Sequence, residues 1–152
     1  MVSEVKSNTK RLSDALFWEV DKGEHRWCRE EVTLANASGA AFSIPDPMGY
    51  PVVDNGDGTI TLVEGVLGAN NEAACNALLI SEDTAFTLAD GATSGKLTIL
   101  NRGPALIKEQ IIDDRTVDHL GNALVAATLK TGLLAEDIDV VAKPPKTETQ
   151  TT

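Results

Sequence analysis

With 152 residues, 42% of them hydrophobic but only 4% aromatic, the chain holds material for one domain whose thin, sheet-based core must come from Val, Ile, Leu and Ala. The formal charge of −10 sits on the middle of the chain, where residues 32–142 carry five Lys/Arg against fifteen Asp/Glu; a surface of that sign repels phosphate and argues against direct nucleic-acid binding through the body. Two distant cysteines, the lack of any run of about 18 apolar residues and a polar opening (MVSEVKSNTKRLSD) argue against a disulfide framework, a spanning helix and a secretory leader.

Residues 1–14 are polar, mixed in charge and without apolar period, which predicts a flexible arm that a partner orders. The arm is assigned to residues 1–24, a β-rich body to 25–142 and a solvated tail, KPPKTETQTT, to 143–152. At the end of the arm, ALFWEVDKGEHRWCREEVTLA places Leu16, Phe17, Trp18, Val20 and Trp27 beside Arg29 and Glu30. This concentration of aromatics next to a polar lead has two readings, cover for the edge of the core or anchorage on a partner.

From Glu31 onward apolar and small residues alternate, and Gly39, Pro45, Pro47, Gly49 and Pro51 break the run into short strands. Further strands are expected in TITLVEGVL (59–67), NALLIS (76–81), KLTIL (96–100) and ALIKEQII (105–112), with turns in GANNE and ADGATSG. One late helix is predicted over 116–131, with Val117, Leu120, Leu124 and Ala127 on one stripe, Thr116 or Asp114 as its cap, Gly121 inside it and Lys130 and Gly132 at its end. LLAEDIDVV (133–141) reads as a closing strand, so the expected class is α+β and β-rich.

The stretch VDNGDGTITLVE (53–64) fits a calcium loop in part, with Asn55, Asp57, Thr59, Thr61 and Glu64 at ligand positions and Gly58 at the turn. Val53, however, stands where a hard cation needs its first carboxylate, and the flanks are β-branched. Asn55-Gly56 and Asp57-Gly58 are strong turn signals, so a hairpin is expected. His25 and Cys28 lack a second pair of ligands nearby, and Asp113, Asp114, Asp118 and His119 read as acids serving the first turn of the helix rather than as catalysts. Nucleophile and phosphate-loop signatures do not occur, so neither an enzyme nor a metal or cofactor site is indicated.

Taken in order, Arg29-Glu30-Glu31-Val32-Thr33 opening the body, the Met48-Gly49-Tyr50 turn, NALLISED, Arg102-Gly103-Pro104-Ala105 after a strand, and a late helix leading into Gly132-Leu133-Leu134 resemble the head decoration proteins of lambda-type tailed phages. The resemblance covers roughly residues 16–142. It implies a β-clip-type module that assembles as a homotrimer on three-fold and quasi-three-fold sites of the expanded capsid and clamps the major capsid protein against DNA pressure. It further implies an arm that adds a strand to capsid β-structure, placement on the outer surface of the virion after synthesis in the host cytoplasm, and no nucleic-acid, membrane or cofactor partner. Leu16, Phe17, Trp18, Val20, Trp27, Arg29 and Glu30 are then the expected capsid contacts, and Arg102, Gly103 and Pro104 a structural turn. A particle-displayed module binding carbohydrate or host surface is the other class that an acidic β body accommodates.

Overall fold

The computed structural model describes residues 12, 15–19, 27–81 and 85–142; the expected tail, most of the expected arm and Val20 lie outside these. Ten short strands and two helices follow in order: β1 (Leu16–Glu19), β2 (Arg29–Leu34), β3 (Phe42–Ile44), β4 (Met48–Asp54), β5 (Thr59–Leu62), β6 (Ala77–Ile80), β7 (Phe86–Leu88), β8 (Leu97–Leu100), β9 (Ala105–Lys108), α1 (Glu109–Asp113), α2 (Ala126–Leu134) and β10 (Ile138–Val141). The class is β-rich α+β with one main helix, as the strand-and-turn pattern predicts.

Five strands close a barrel in the order β2-β5-β4-β6-β8, β1-β9-β10 form a second sheet, and β3 pairs with β7. Strand alternation divides the apolar residues into two cores. Val32, Leu34, Tyr50, Val52, Ile60, Leu62, Ala77, Leu79, Leu97 and Ile99 fill one, joined by Ile44 and Leu88 of the β3-β7 ribbon. The other gathers Met48, Leu78, Ile80 and Leu100 with Ile107 of β9, Ile111 and Ile112 of α1, Leu129 and Leu133 of α2 and Ile138 of β10. Strand β6 serves both, its successive side chains entering opposite cores as the two-residue period of a strand requires. Each fully buried leucine there contributes about 1.5–3 kcal/mol relative to exposure.

The stretch 53–64 is the β4-β5 hairpin, with Val52 opposite Leu62 and Asp54 opposite Ile60. The Asp54 carboxylate accepts the Gly56 N–H at 3.0 Å, Asp57 accepts the Thr59 N–H at 3.1 Å, and Asn55 N–H bonds the Thr59 carbonyl at 3.1 Å. The first two are turn bonds that Asp side chains make by reaching two residues along the chain, and the third is main chain to main chain. The hairpin also closes the barrel: the Gly58 carbonyl accepts the Thr33 N–H at 2.9 Å, beside the parallel pairing of Thr33 with Thr59.

The late helix corrects its expected bounds. Residues 116–123 are not helical but a tight loop, in which Val117 bridges Ala123 and Gly121 lies at φ +87°. The helix starts only at Ala126, with Val125 rather than Thr116 or Asp114 at its N-cap, and runs past Lys130 to Leu134. Gly132 does not end it. That residue lies against the 3-10 turn Glu72–Ala74, where a Cβ would stand 2.1 Å from the Cys75 carbonyl oxygen, so close approach and not termination explains the glycine. Three of the longer strand assignments shorten: the 59–67 run pairs only over Thr59–Leu62, residues 109–112 of the 105–112 run turn into α1, and Leu133 and Leu134 complete α2, leaving Ile138–Val141 to pair in parallel with β9.

Because Gly58 holds φ +90° with open space where a Cβ would go, Gly58→Val should cost stability through the backbone alone, about 1–2 kcal/mol. Asp57→Ala should shift the urea midpoint less, since the strands and Gly58 remain. Equal midpoints for Gly58→Val and the parent chain would contradict the hairpin geometry.

Candidate partner-binding face

Strand β1 lies at the edge of its sheet, antiparallel to β9, with Leu16 opposite Ile107, Trp18 opposite Leu106 and Glu19 opposite Ala105. The end of the expected arm is therefore part of the body. The pairing shifts register at a bulge between Leu16 and Trp18. Ala15 is fully buried and Leu16 packs against the second core, so these residues anchor the strand from below.

Polar contacts fix the register of the seam. The Glu19 carboxylate takes a two-pronged pair from Arg29 at the start of β2, with Nε at 3.1 Å from Oε2 and a second contact from Nη2 to Oε1. The Lys108 ammonium lies 5.1 Å from the centroid of the Phe17 ring, and the Arg102 guanidinium lies 4.6 Å from that of Trp27, while Arg102 Nε donates to the Trp27 carbonyl at 2.6 Å. Cation–π contacts of this kind contribute about 0.5–1 kcal/mol each, and a partly buried ion pair such as Glu19–Arg29 about as much. Main-chain pairing and burial hold β1; the charges choose its register.

The Arg102-Gly103-Pro104 turn joins three segments at this seam. Gly103 N–H bonds the Glu136 carbonyl at 2.9 Å, Ala105 N–H bonds that of Asp137 at 3.2 Å, and the Cys28 thiol donates toward the Pro104 carbonyl at 3.6 Å. Next to it the Asn101 amide donates to Glu30 at 2.9 Å and to Asp54 at 3.0 Å, linking β2 with the β4-β5 hairpin. Three separate stretches of sequence are thus joined along this seam: Arg29 holds Glu19 of β1, Arg102 covers Trp27, and the Gly103-Pro104 turn is tied to Glu136 and Asp137 ahead of β10. Trp18 contributes its backbone to β1. The second thiol, Cys75, is remote from this edge in sequence and buried, which pushes its pKa up to about 12; it is no nucleophile at neutral pH.

A second cluster is one that the expected helix concealed. Here the loops 63–71 and 116–125 are pinned together by carboxylates. Asp118 accepts N–H bonds from Gly65, Leu120 and Asn122 at 2.8, 2.8 and 2.9 Å; Glu64 accepts that of Ala69 at 3.1 Å, and Glu72 that of Val125. Burial alone would raise the Asp118 carboxyl, but the amides of Gly65, Asn122 and Leu120 outweigh it and hold it below its ordinary value. Asp113 and Asp114, expected to serve a helix N-terminus, stand at the end of α1 instead. Asp113 meets Lys130 at 3.0 Å, and Asp114 accepts from Gln110 at 2.7 Å.

Tyr50 joins this cluster to the barrel. Its hydroxyl accepts the His119 N–H at 2.8 Å and lies 2.9 Å from His119 Nδ1, while the Arg115 guanidinium lies 4.7 Å from the ring centroid. Burial raises the Tyr50 pKa and lowers that of His119, which favours the neutral form of both. The hollow between β7 and β8, about 530 Å3, is lined among the described residues by one ionisable side chain, Lys96. Among the described residues, no helix is long and apolar enough to cross a membrane. Comparison of the chain with family models, curated proteins and solved structures returns no match in any of the three.

Asp118→Ala should destabilise the fold by about 3 kcal/mol at pH 7, since three backbone donors lose a charged acceptor. The folded carboxyl ionises below its unfolded value of about 3.9, so its contribution is complete above that pH and is lost as pH falls through the folded value. Urea unfolding of both proteins should therefore show the gap shrinking below about pH 4. A gap of constant size from pH 7 to pH 3 would contradict the charged hydrogen-bond account.

Proposed function

We propose that this chain is a structural head decoration protein of a tailed phage, a capsid cement with a β-clip-type module that binds as a homotrimer at three-fold and quasi-three-fold sites of the expanded capsid. In this reading it stands on the outer surface of the virion, made in the host cytoplasm, and holds neighbouring capsid subunits together against DNA pressure. The single observation that carries the reading is the chain of contacts that links the motif residues beside the edge strand β1: Arg29 on Glu19 of that strand, Arg102 over Trp27, and Asn101 between Glu30 and Asp54. The ordered resemblance of the sequence to the family supports the same conclusion.

Mechanism follows from an edge strand preceded by a polar lead. An edge offers main-chain donors and acceptors to another strand, and side chains such as Phe17 and Trp27 add contact area. Residues 1–11, which precede β1, then act as the arm that joins capsid β-structure. In a trimer each bound arm raises the effective concentration of the next, so modest single contacts give tight attachment. A cement that binds only the expanded shell stabilises it by mass action, about 2.7 kcal/mol per site at a hundred times Kd.

The truncation that tests this must spare β1, because Ala15 and Leu16 belong to the second core. Removing residues 1–11 should leave the melting temperature nearly unchanged and weaken co-sedimentation with expanded heads at least tenfold. Undiminished decoration by the truncated chain would overturn the arm mechanism, and binding to host cells in place of heads would overturn the cementing role.

A further inference from the structure

The loops pinned by Asp118, Glu64 and Glu72 carry an outer surface that the fold itself does not use. Gly65–Gly68 is a four-residue turn closed by the Gly68 N–H on the Gly65 carbonyl at 3.0 Å. Its third residue, Leu67, has φ +81° and is 93% exposed. A left-handed backbone at that turn position is the province of Gly or Asn, because a Cβ crowds the following carbonyl. Leu67 thus accepts strain without burying its side chain in its own chain. Val66, Val117, Leu120 and Val125 are also exposed. The two loops touch directly: Val66 N–H bonds the Ala123 carbonyl at 2.9 Å, and Val117 bridges Ala123.

Charge distinguishes this patch from the rest of the molecule. In a chain with 24% charged residues, neither Gly65–Asn71 nor His119–Leu129 contains an Asp, Glu, Lys or Arg. The acids that border it are turned to backbone amides, Asp118 and Glu72 being buried. A positively charged partner would be drawn to the acidic parts of a body with net charge −10, and this patch offers it no acid to meet. Clearing acids helps most where the opposing surface belongs to an equally acidic body. A second copy of the same chain is such a body.

We propose that the apolar patch centred on Leu67, with Val66, Val117, Leu120 and Val125, is the surface through which copies of this chain associate. The inference takes self-association from the cementing reading and gives it a location. Leu67 is the anchor: its strained backbone projects the side chain outward, and association buries it against the neutral patch of the neighbour.

Sedimentation velocity of the full chain over a concentration series tests the proposal, with Leu67→Gly and Leu120→Ser as variants. The parent chain should associate as concentration rises. Leu67→Gly should weaken association at least tenfold while the dilute protein melts at the same or a higher temperature, because glycine relieves the left-handed strain and no internal packing is lost. Leu120→Ser should weaken association without unfolding the chain. A parent chain that stays monomeric throughout, association unchanged in both variants, or a lower melting temperature for dilute Leu67→Gly would each overturn the inference. Head co-sedimentation separates the two ideas: a chain that associates through the patch but ignores expanded heads refutes cementing alone, whereas decoration with association indifferent to Leu67 and Leu120 refutes the patch alone.

Discussion

Strand β6 sets the constraint on which the remaining architecture depends. Ala77, Leu78, Leu79 and Ile80 are all buried, two facing each core, so the strand must be covered on both sides. The barrel supplies one cover and the assembly of α1, α2 and the β1-β9-β10 sheet the other. Neither half satisfies β6 alone, which is why a chain so poor in aromatics forms one cooperative body. Such sharing also makes the edge strand β1 a rigid feature, since Ala15 and Leu16 pack into the core that β6 completes.

Carboxylates then sort the surface into regions. Where the loops 63–71 and 116–125 meet, Asp118, Glu64 and Glu72 bind backbone amides and leave a neutral apolar exterior. At the other seam Glu19 and Glu30 engage Arg29 and Asn101, beside aromatic rings covered by Lys108 and Arg102. The chain is acidic overall, yet at both candidate contact surfaces acids are paired or turned inward. That pattern suits a protein that touches other proteins, because unpaired charge at the centre of an interface opposes association.

Much of this was legible in residue order, and the exceptions have physical causes. The hairpin at 53–64 could be read because Asn-Gly and Asp-Gly encode their turn locally. The helix expected at 116–131 failed because apolar spacing outweighed a competing signal: Asp118 and Gly121 occupy the first and fourth places of a β-turn, where Asp and Gly are favoured. Strand β1 was hidden for another reason. Its partner β9 lies almost ninety residues away, and the pairing shifts register at a bulge. Leu67 carried no signal at all, since the glycines of Gly65-Val66-Leu67-Gly68 flank the left-handed position instead of filling it. Trp27, Arg29 and Arg102 stood out as motif residues, but the contact of Trp27 with Arg102 and of Arg29 with Glu19 depends on tertiary structure.

The most direct measurement is a cryo-electron microscopy reconstruction of expanded phage heads incubated with this chain. The account predicts density for it at the three-fold and quasi-three-fold positions of the outer surface, with the β1 edge turned toward the shell and neighbouring copies meeting at Leu67 and Leu120. Bare three-fold positions, or density attached elsewhere with the β1 edge facing solvent, would contradict it.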